Sequence, residues 1–391
     1  MNNKNNFSRL RIFLTTSHIS TVYMTLYANC TKKNTDTDVL FIDTGKRRKI
    51  LIQILNETSE FHNWNLIHNF SDSVEQEYDF EPTIQKKLTR KWKVLPVVKN
   101  IYGNLLNRHL SKKDSLYKKK IETLLQEFSN FDRVELFLMT QTYLNKPLTI
   151  IFPKAEIHYM EHGIGDYFYV LHKTNEKKYF HAVFAIPFQK FLSKQNKTSD
   201  WVFSIEGLSR FSTISKKLIE RHQKSLQLEK ISTPEKEFIF ILLEAVDMYE
   251  VKDSFWTEYI DHIIKQIAVP SDYHYLLKTH PIQSRVSIAK TENHFKELGL
   301  SYSLLAGDKM SSVSAEVIFE MWAEKTRHVF CLFSSACFYL SQLYQNRNIQ
   351  FWYSTEFMSK HINNAPPQYK VHFEGLRPLI EQVFAEKCQP Y

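Results

Sequence analysis

A strand-then-helix alternation limits the fold of this chain more than any other feature, and it runs twice, on either side of a polar break. "RLRIFLTTSHIS", from Arg9, reads as a short apolar strand ending in a polar loop, and "TVYMTLYANC" then has helical spacing. "DVLFIDTGKRRKILIQILNE" repeats the theme, with a strand from Asp38 to Asp43, a loop through Gly45 and a helix. "WNLIHNF" is a third short strand, the helix "KKKIETLLQEF" precedes "RVELFLMT", and "EIHYMEHGIGDY" is a strand running into a loop. Short apolar runs separated by helical repeats argue for a parallel α/β sheet with crossover helices.

Residues 214–237 are polar and charged, with helical character before Pro234, and read as a connection. Beyond them the pattern restarts. "FIFILLEAVDMY", "YHYLLKTHP", "HVFCLFSSACFYLSQLY" and "IQFWYS" supply strands, while "FWTEYIDHIIKQIA" and "AEVIFEMWAEK" supply helices. The expectation is an α/β chain of two doubly wound domains, 1–213 and 238–391, facing a cleft and joined by 214–237. No internal repeat is visible.

Composition narrows the chemistry. With 43% hydrophobic and 14% aromatic residues, sizeable cores are available and disorder is excluded for most of the chain. Only 8 of 391 residues are glycine, and neither GxGxxG nor GxxxxGK[ST] occurs, so any phosphate must be held without those loops. The four cysteines (Cys30, Cys331, Cys337, Cys388) show no CxxC spacing, which argues against zinc and for a reducing compartment. Arg9 and Arg11 interrupt the first apolar run, so no signal-peptide core forms, and no apolar window is long enough to span a bilayer. The expectation is a cytoplasmic protein, with peripheral contact to the inner membrane as an addition.

The net charge of +9 favours anionic partners. It concentrates between Lys86 and Lys120, where twelve Lys/Arg accompany one acid, Asp114. Lys112, Lys113, Lys118, Lys119 and Lys120 close this stretch, with Trp92, Tyr102 and Tyr117 interleaved. It reads either as a solvated helical face or as a groove for a polyanion or anionic lipid. A nucleic-acid reading is disfavoured, because the chain has no RNP-type strand and no zinc finger.

Three strand-end loops collect reactive groups: Glu161-His162-Gly163, "KTHP" from Lys278 to Pro281, and "FSSA" from Phe333 to Ala336. In open α/β sheets ligands bind outside the carboxyl ends of strands, where all three loops should lie. A carboxylate just past a strand, with glycine allowing close backbone approach, can serve as a general base. A histidine followed by proline, two residues after a lysine, suits phosphate binding and leaving-group protonation. Two serines opening a helix offer hydroxyls beside free N–H groups and a positive dipole end. Singly, an HP dipeptide is a turn and an SS pair is an N-cap. Their order and shared placement at strand ends are what point to a site.

In these motifs the chain resembles bacterial sialyltransferases, particularly the capsular polysialyltransferase family, whose relatives include the lipooligosaccharide sialyltransferases. The resemblance rests on Glu161-His162-Gly163 with the following Ile-Gly-Asp-Tyr, on Leu277-Lys278-Thr279-His280-Pro281, and on Ser334-Ser335. Gly163, Gly165 and Tyr167 resemble the polysialyltransferase branch. One departure stands out, since His162 occupies the place of a second acid.

The resemblance implies a two-domain GT-B enzyme that transfers sialic acid from CMP-sialic acid to an anionic surface glycan, with inversion and without a metal or other cofactor. It implies Glu161 as general base and His280 as the group that protonates or stabilises the departing phosphate. Gly163, Lys278, Pro281, Ser334 and Ser335 would then hold the donor, with Glu320 on the ribose and Glu316 its rival one turn earlier. Lys112, Lys113 and Lys118 to Lys120 would take the acceptor. The alternatives are a CMP-Kdo or other nonulosonate transferase, and a CDP-alditol phosphotransferase of the teichoic-acid type, in which His162 is the base.

Two further features bear on the chemistry. Asp36-Thr37-Asp38 is a DxD, but it precedes an apolar strand instead of following one, so it reads as a solvated turn. His18 follows the first strand, where it reads either as a donor or acceptor contact or as a plain loop residue, and the plain loop residue is preferred.

Overall fold

β1 (Arg9–Thr15) shows why the alternation folds as it does. It is buried on both faces: Leu10, Ile12 and Leu14 enter one core, and Phe13 enters another. Such a strand must lie inside a sheet covered on both sides, the situation of parallel α/β sheets. β2 (Asp36–Ile42) pairs with it on one side and β4 (Arg133–Leu138) on the other, both parallel.

In this computed structural model the described residues are 8–43, 56–70, 115–126, 131–139, 142, 144–160, 179–181, 205–224, 226, 228, 231, 235–244, 246–280, 283–363, 365–385 and 387–391. The first sheet is completed by β3 (Leu66–Asn69), β5 (Glu156–Met160) and β6 (Tyr179–His181), in the order β3-β2-β1-β4-β5-β6. The second contains β7 (Glu237–Leu243), β8 (Tyr273–Thr279), β9 (Tyr302–Leu305), β10 (Thr326–Cys331), β11 (Gln350–Tyr353) and β12 (Gln389–Pro390). Its order is β12-β11-β10-β7-β8-β9. Each sheet thus has its first strand in the centre, its second and third to one side and its fourth to sixth to the other. That is the doubly wound Rossmann topology, with switch points between β1 and β4 and between β7 and β10.

Three helices position the cleft. α1 (His18–Thr31) follows β1 and opens on Ser17, whose side chain accepts from the Ser20 N–H in a capping box. α2 (Ile205–His222) buries Phe211, Ile214 and Leu218 in a core cluster that also holds Leu10 and Ile12 of the first sheet and Phe238 and Phe240 of the second. α3 (Ser335–Leu343) follows β10. Tyr23 of α1 meets Phe211 of α2 at 6.2 Å and Tyr339 of α3 at 5.6 Å, centroid to centroid. The stretch read as a connection, 214–237, therefore begins inside a helix packed against both sheets. "AEVIFEMWAEK" also differs from expectation: it is a short helix, Ala315–Ile318, continued by a 3-10 turn, Phe319–Met321.

The DxD is not a solvated turn. Asp36 and Asp38 open β2, and the parallel register sets Arg9 opposite Asp36 and Arg11 opposite Asp38. The Arg11 guanidinium donates to both oxygens of Asp38 at 2.6 and 2.7 Å, and both side chains are fully buried. His62 adds a contact to Asp38 at 2.7 Å, and Arg9 holds both Asp36 oxygens. Burial pushes the Asp38 carboxyl up, but the bonds from His62 and Arg11 outweigh it and hold the carboxyl at about 2. The same two arginines that interrupt the first apolar run are thus neutralised inside the sheet, and the carboxylates are spoken for.

Candidate active site

The cleft is built from strand ends. β7, β8 and β10 deliver Glu244, His280 and Ser334 to one side of a cavity of about 230 Å3. The end of β1 and the start of α1 close the other side with Ser17, His18 and Ile19. Lys278, Thr279, Ser314, Glu316 and Ser335 complete the lining. Three of the expected donor residues (Lys278, Ser334, Ser335) and His280 are therefore brought together. Glu161, His162, Gly163 and Pro281 lie outside the described residues, as do Lys112 and Lys113. β5 ends at Met160, one residue before Glu161.

Lys278 is buried and donates to the carbonyl oxygens of Thr279, at 3.0 Å, and Ser311, at 3.4 Å. Glu316 is also buried, and burial drives the pair toward neutrality: the lysine is pulled down and the glutamate pushed up, with their mutual attraction opposing both shifts. His280, next along the same strand end, is exposed. Ser334 is the N-cap of α3, its hydroxyl accepting from the Ala336 N–H at 3.3 Å. A helix N-terminus carrying serine hydroxyls, a lysine and a histidine around one cavity is suited to a nucleotide phosphate.

Glu320 is placed elsewhere. It accepts from the Ser212 hydroxyl of α2 at 2.9 Å and from the Tyr344 hydroxyl at 2.6 Å, and lines a separate cavity with Lys216, Trp322 and Arg347. Glu316, one turn earlier, is the acid that lines the cavity of Lys278 and the serines. The helix breaks into a 3-10 turn at Phe319, and this turn aims the two acids at different surroundings.

Sequence reasoning missed one cavity residue, Glu244, and ranked another, His18, below a plain loop residue. His18 is buried; its Nδ1 accepts from the Ser314 N–H at 3.0 Å, which leaves the proton on Nε2 facing the Thr58 hydroxyl at 3.2 Å. Burial, helped by His222 and Lys278, lowers it to about 3, so it is neutral. Glu244 follows β7 in "FILLEAV" and accepts from the Phe333 N–H at 3.0 Å. An acid placed directly after an unbroken apolar strand was the available signal for Glu244. For His18 it was the histidine opening a serine-capped helix.

Of the acceptor lysines, Lys118, Lys119 and Lys120 lie on a helix over 115–125 whose Tyr117, Ile121 and Leu125 are buried. Lys119 is exposed, and Lys118 and Lys120 flank the buried stripe half-buried. Lys118 lies 3.8 Å from Glu122.

Among the described residues, one group has metal-ligand proximity: Glu135, Glu156 and His158. It lies toward the amino ends of β4 and β5, opposite the cleft, and Arg9 and Arg133 already bind its carboxylates.

Two Rossmann-type sheets facing a phosphate-suited cleft define the GT-B architecture of nucleotide-sugar glycosyltransferases. The family described as alpha-2,8-polysialyltransferase (POLYST) matches residues 11–353, and the chain belongs to that family. It is a glycosyltransferase, and its class of reaction is sialyl transfer from a nucleotide-sugar donor to a glycan. No curated protein matches the chain. Among solved structures it is similar to a sialyltransferase from Photobacterium damsela, with 12% identity over 98% of this chain and 81% of that one, and a TM-score of 0.47. It is also similar to UDP-GlcNAc 2-epimerase from Methanocaldococcus jannaschii, with 11% identity over 95% and 92% of the two chains and a TM-score of 0.48. A third is the E. coli ADP-heptose LPS heptosyltransferase II, with 11% identity over 96% and 99% and a TM-score of 0.39.

Proposed function

We propose that the chain transfers sialic acid from CMP-sialic acid, with inversion and without a metal, to a bacterial surface glycan, capsular polysialic acid or a lipooligosaccharide. The observation that carries this reading is the convergence of Lys278, His280, Glu316, Ser334 and Ser335 on one cavity at the β7/β10 switch point. CMP fits such a lining: Glu316 would accept from the ribose hydroxyls, while Ser334, Ser335 and the α3 N-terminus would take the phosphate. His280 would protonate or stabilise the departing phosphate, and Lys278 would hold the shape of the loop through its two carbonyl contacts.

Glu161 would remove the proton from the acceptor hydroxyl, which then attacks the anomeric carbon on the face opposite CMP. A single displacement of a β-linked donor gives an α-linked product. Charge on the leaving phosphate is met by the histidine and the helix dipole, so the reading needs no divalent ion. Among the described residues no helix is long and apolar enough to cross a membrane. The basic face at Lys118–Lys120 is proposed to meet an anionic glycan, with peripheral attachment to the cytoplasmic face of the inner membrane as a further role of the same charge.

The test is mass spectrometry after parallel incubation with CMP-sialic acid and with CDP-glycerol, each with short oligosialic acid and in EDTA. Added sialic acid residues are expected in the first reaction only. Glycerol phosphate addition instead would move the chain to the teichoic-acid type of transfer. Rescue by manganese of an EDTA-dead reaction would refute the metal-free mechanism.

A further inference from the structure

At the β7/β10 switch point the carboxyl of Glu244 spans from the end of β7 to the loop that carries the serine motif. Its Oε1 accepts from the Phe333 N–H at 3.0 Å, across 89 residues of sequence. Phe333 immediately precedes Ser334, the N-cap of α3, so this one bond ties the start of the proposed phosphate-binding turn to the central strand of the sheet. Glu244 lines the same cavity as His280, Ser334 and Ser335. It is 7% exposed, and its Oε2 has no hydrogen-bond partner among the described residues. No basic side chain forms an ion pair with it among the described residues, unlike Asp36, Asp38 and Glu135 in the first domain.

We propose that Glu244 is a positioning residue for the donor phosphate: held as a neutral carboxylic acid, it fixes the Phe333-Ser334-Ser335 turn without placing a negative charge beside the phosphate. The inference rests on the nucleotide-donor reading of the cavity. Two physical points support it. A buried carboxylate without a cationic partner takes up a proton in preference to staying charged. Burial accordingly pushes Glu244 up to about 8, against the opposing pull of the backbone N–H groups of Phe333, Ser334 and Leu332. An ionised carboxylate at this place would repel a phosphate seated on α3, whereas a neutral acid keeps the acceptor for Phe333 and costs the ligand nothing in charge.

The experiment is direct titration of the full chain with CMP and with cytidine, for wild type, Glu244→Leu and Glu244→Gln, with thermal melting of each. Leucine removes the acceptor of the Phe333 N–H, and glutamine keeps an acceptor oxygen without any charge. The expected result is that Glu244→Leu weakens CMP binding tenfold or more while cytidine binding changes less than threefold. Glu244→Gln should restore CMP binding to within threefold of wild type. Where the leucine variant does not fold, Glu244→Asp, one methylene shorter, replaces it and should show the same phosphate-selective loss. Equal losses for CMP and cytidine would overturn the proposal, because the residue would then act on the nucleoside or on the fold at large. A glutamine variant as weak as the leucine variant would also overturn it, since a carboxylate charge would then be required. A wild-type chain that binds neither ligand would instead refute the donor reading on which the proposal rests.

Discussion

The backbone N–H of Ser314 donates to Nδ1 of His18 at 3.0 Å, joining residues 296 apart in sequence and the two domains across the cleft. Ser314 precedes the short helix that carries Glu316, so this bond sets how the first domain meets the donor side. His18→Leu leaves that N–H without its partner and is expected to cost about 1–3 kcal/mol of stability, the usual penalty for an orphaned buried donor. His18→Asn, which can offer an amide oxygen, should recover part of it. Chemical denaturation of the three proteins checks this.

The same histidine makes stability depend on pH. Its folded-state value lies at about 3, below its ordinary value of 6.5, because burial disfavours the cation. The folded protein therefore binds fewer protons here than the unfolded chain. This contribution is fully present above about pH 6.5 and is lost as pH falls toward 3, with a slope of about 1.4 kcal/mol per pH unit inside that window. Denaturation midpoints measured from pH 7 to pH 4 should fall more steeply for wild type than for His18→Asn. Parallel curves would refute the neutral, buried histidine.

Glu161→Gln should lower transfer by a factor of about 100 to 10,000 while leaving CMP binding close to wild type, the signature of a lost general base. His162→Asn should stay active. The opposite ranking in a radiolabel transfer assay would assign the base to His162.

Glu316→Gln and Glu320→Gln should separate. The first is expected to weaken CMP binding about tenfold, because Glu316 lines the cavity. The second should leave CMP binding near wild type and lower the melting temperature, because Glu320 is held by Ser212 of α2 and by Tyr344. Calorimetric titration and thermal melting of both variants read the two outcomes independently.

Replacing Lys112, Lys113, Lys118, Lys119 and Lys120 together by Ser should raise KM for long polyanionic acceptors and barely alter turnover on a short one. Counterion release makes such binding weaken with salt, so the difference between wild type and variant should shrink at high ionic strength. A wild-type KM independent of acceptor length would show that these lysines do not bind the glycan. Co-sedimentation with anionic vesicles would then test a membrane-surface role.

Local pattern determined a good part of this protein. Apolar runs such as Ile239–Leu243 and Tyr275–Leu277, each followed by helical spacing, dictate buried parallel strands with crossovers, since backbone and side-chain periodicity act over a few residues. The same locality placed Lys278, His280, Ser334 and Ser335 at strand ends, and therefore on one edge of a sheet. What periodicity cannot carry is the partner of a charged side chain. Asp36 and Asp38 looked solvated until the register of β1 against β2 set Arg9 and Arg11 beside them. Whether Glu316 or Glu320 faces the cavity depended on where one helix turn gives way to a 3-10 turn. His18 and Glu244 acquired their roles from hydrogen bonds to Ser314 and Phe333, 296 and 89 residues away. Such contacts exist only once each sheet has formed and, for His18, once the two have packed together, because burial creates both the demand for a partner and the distance at which it is met.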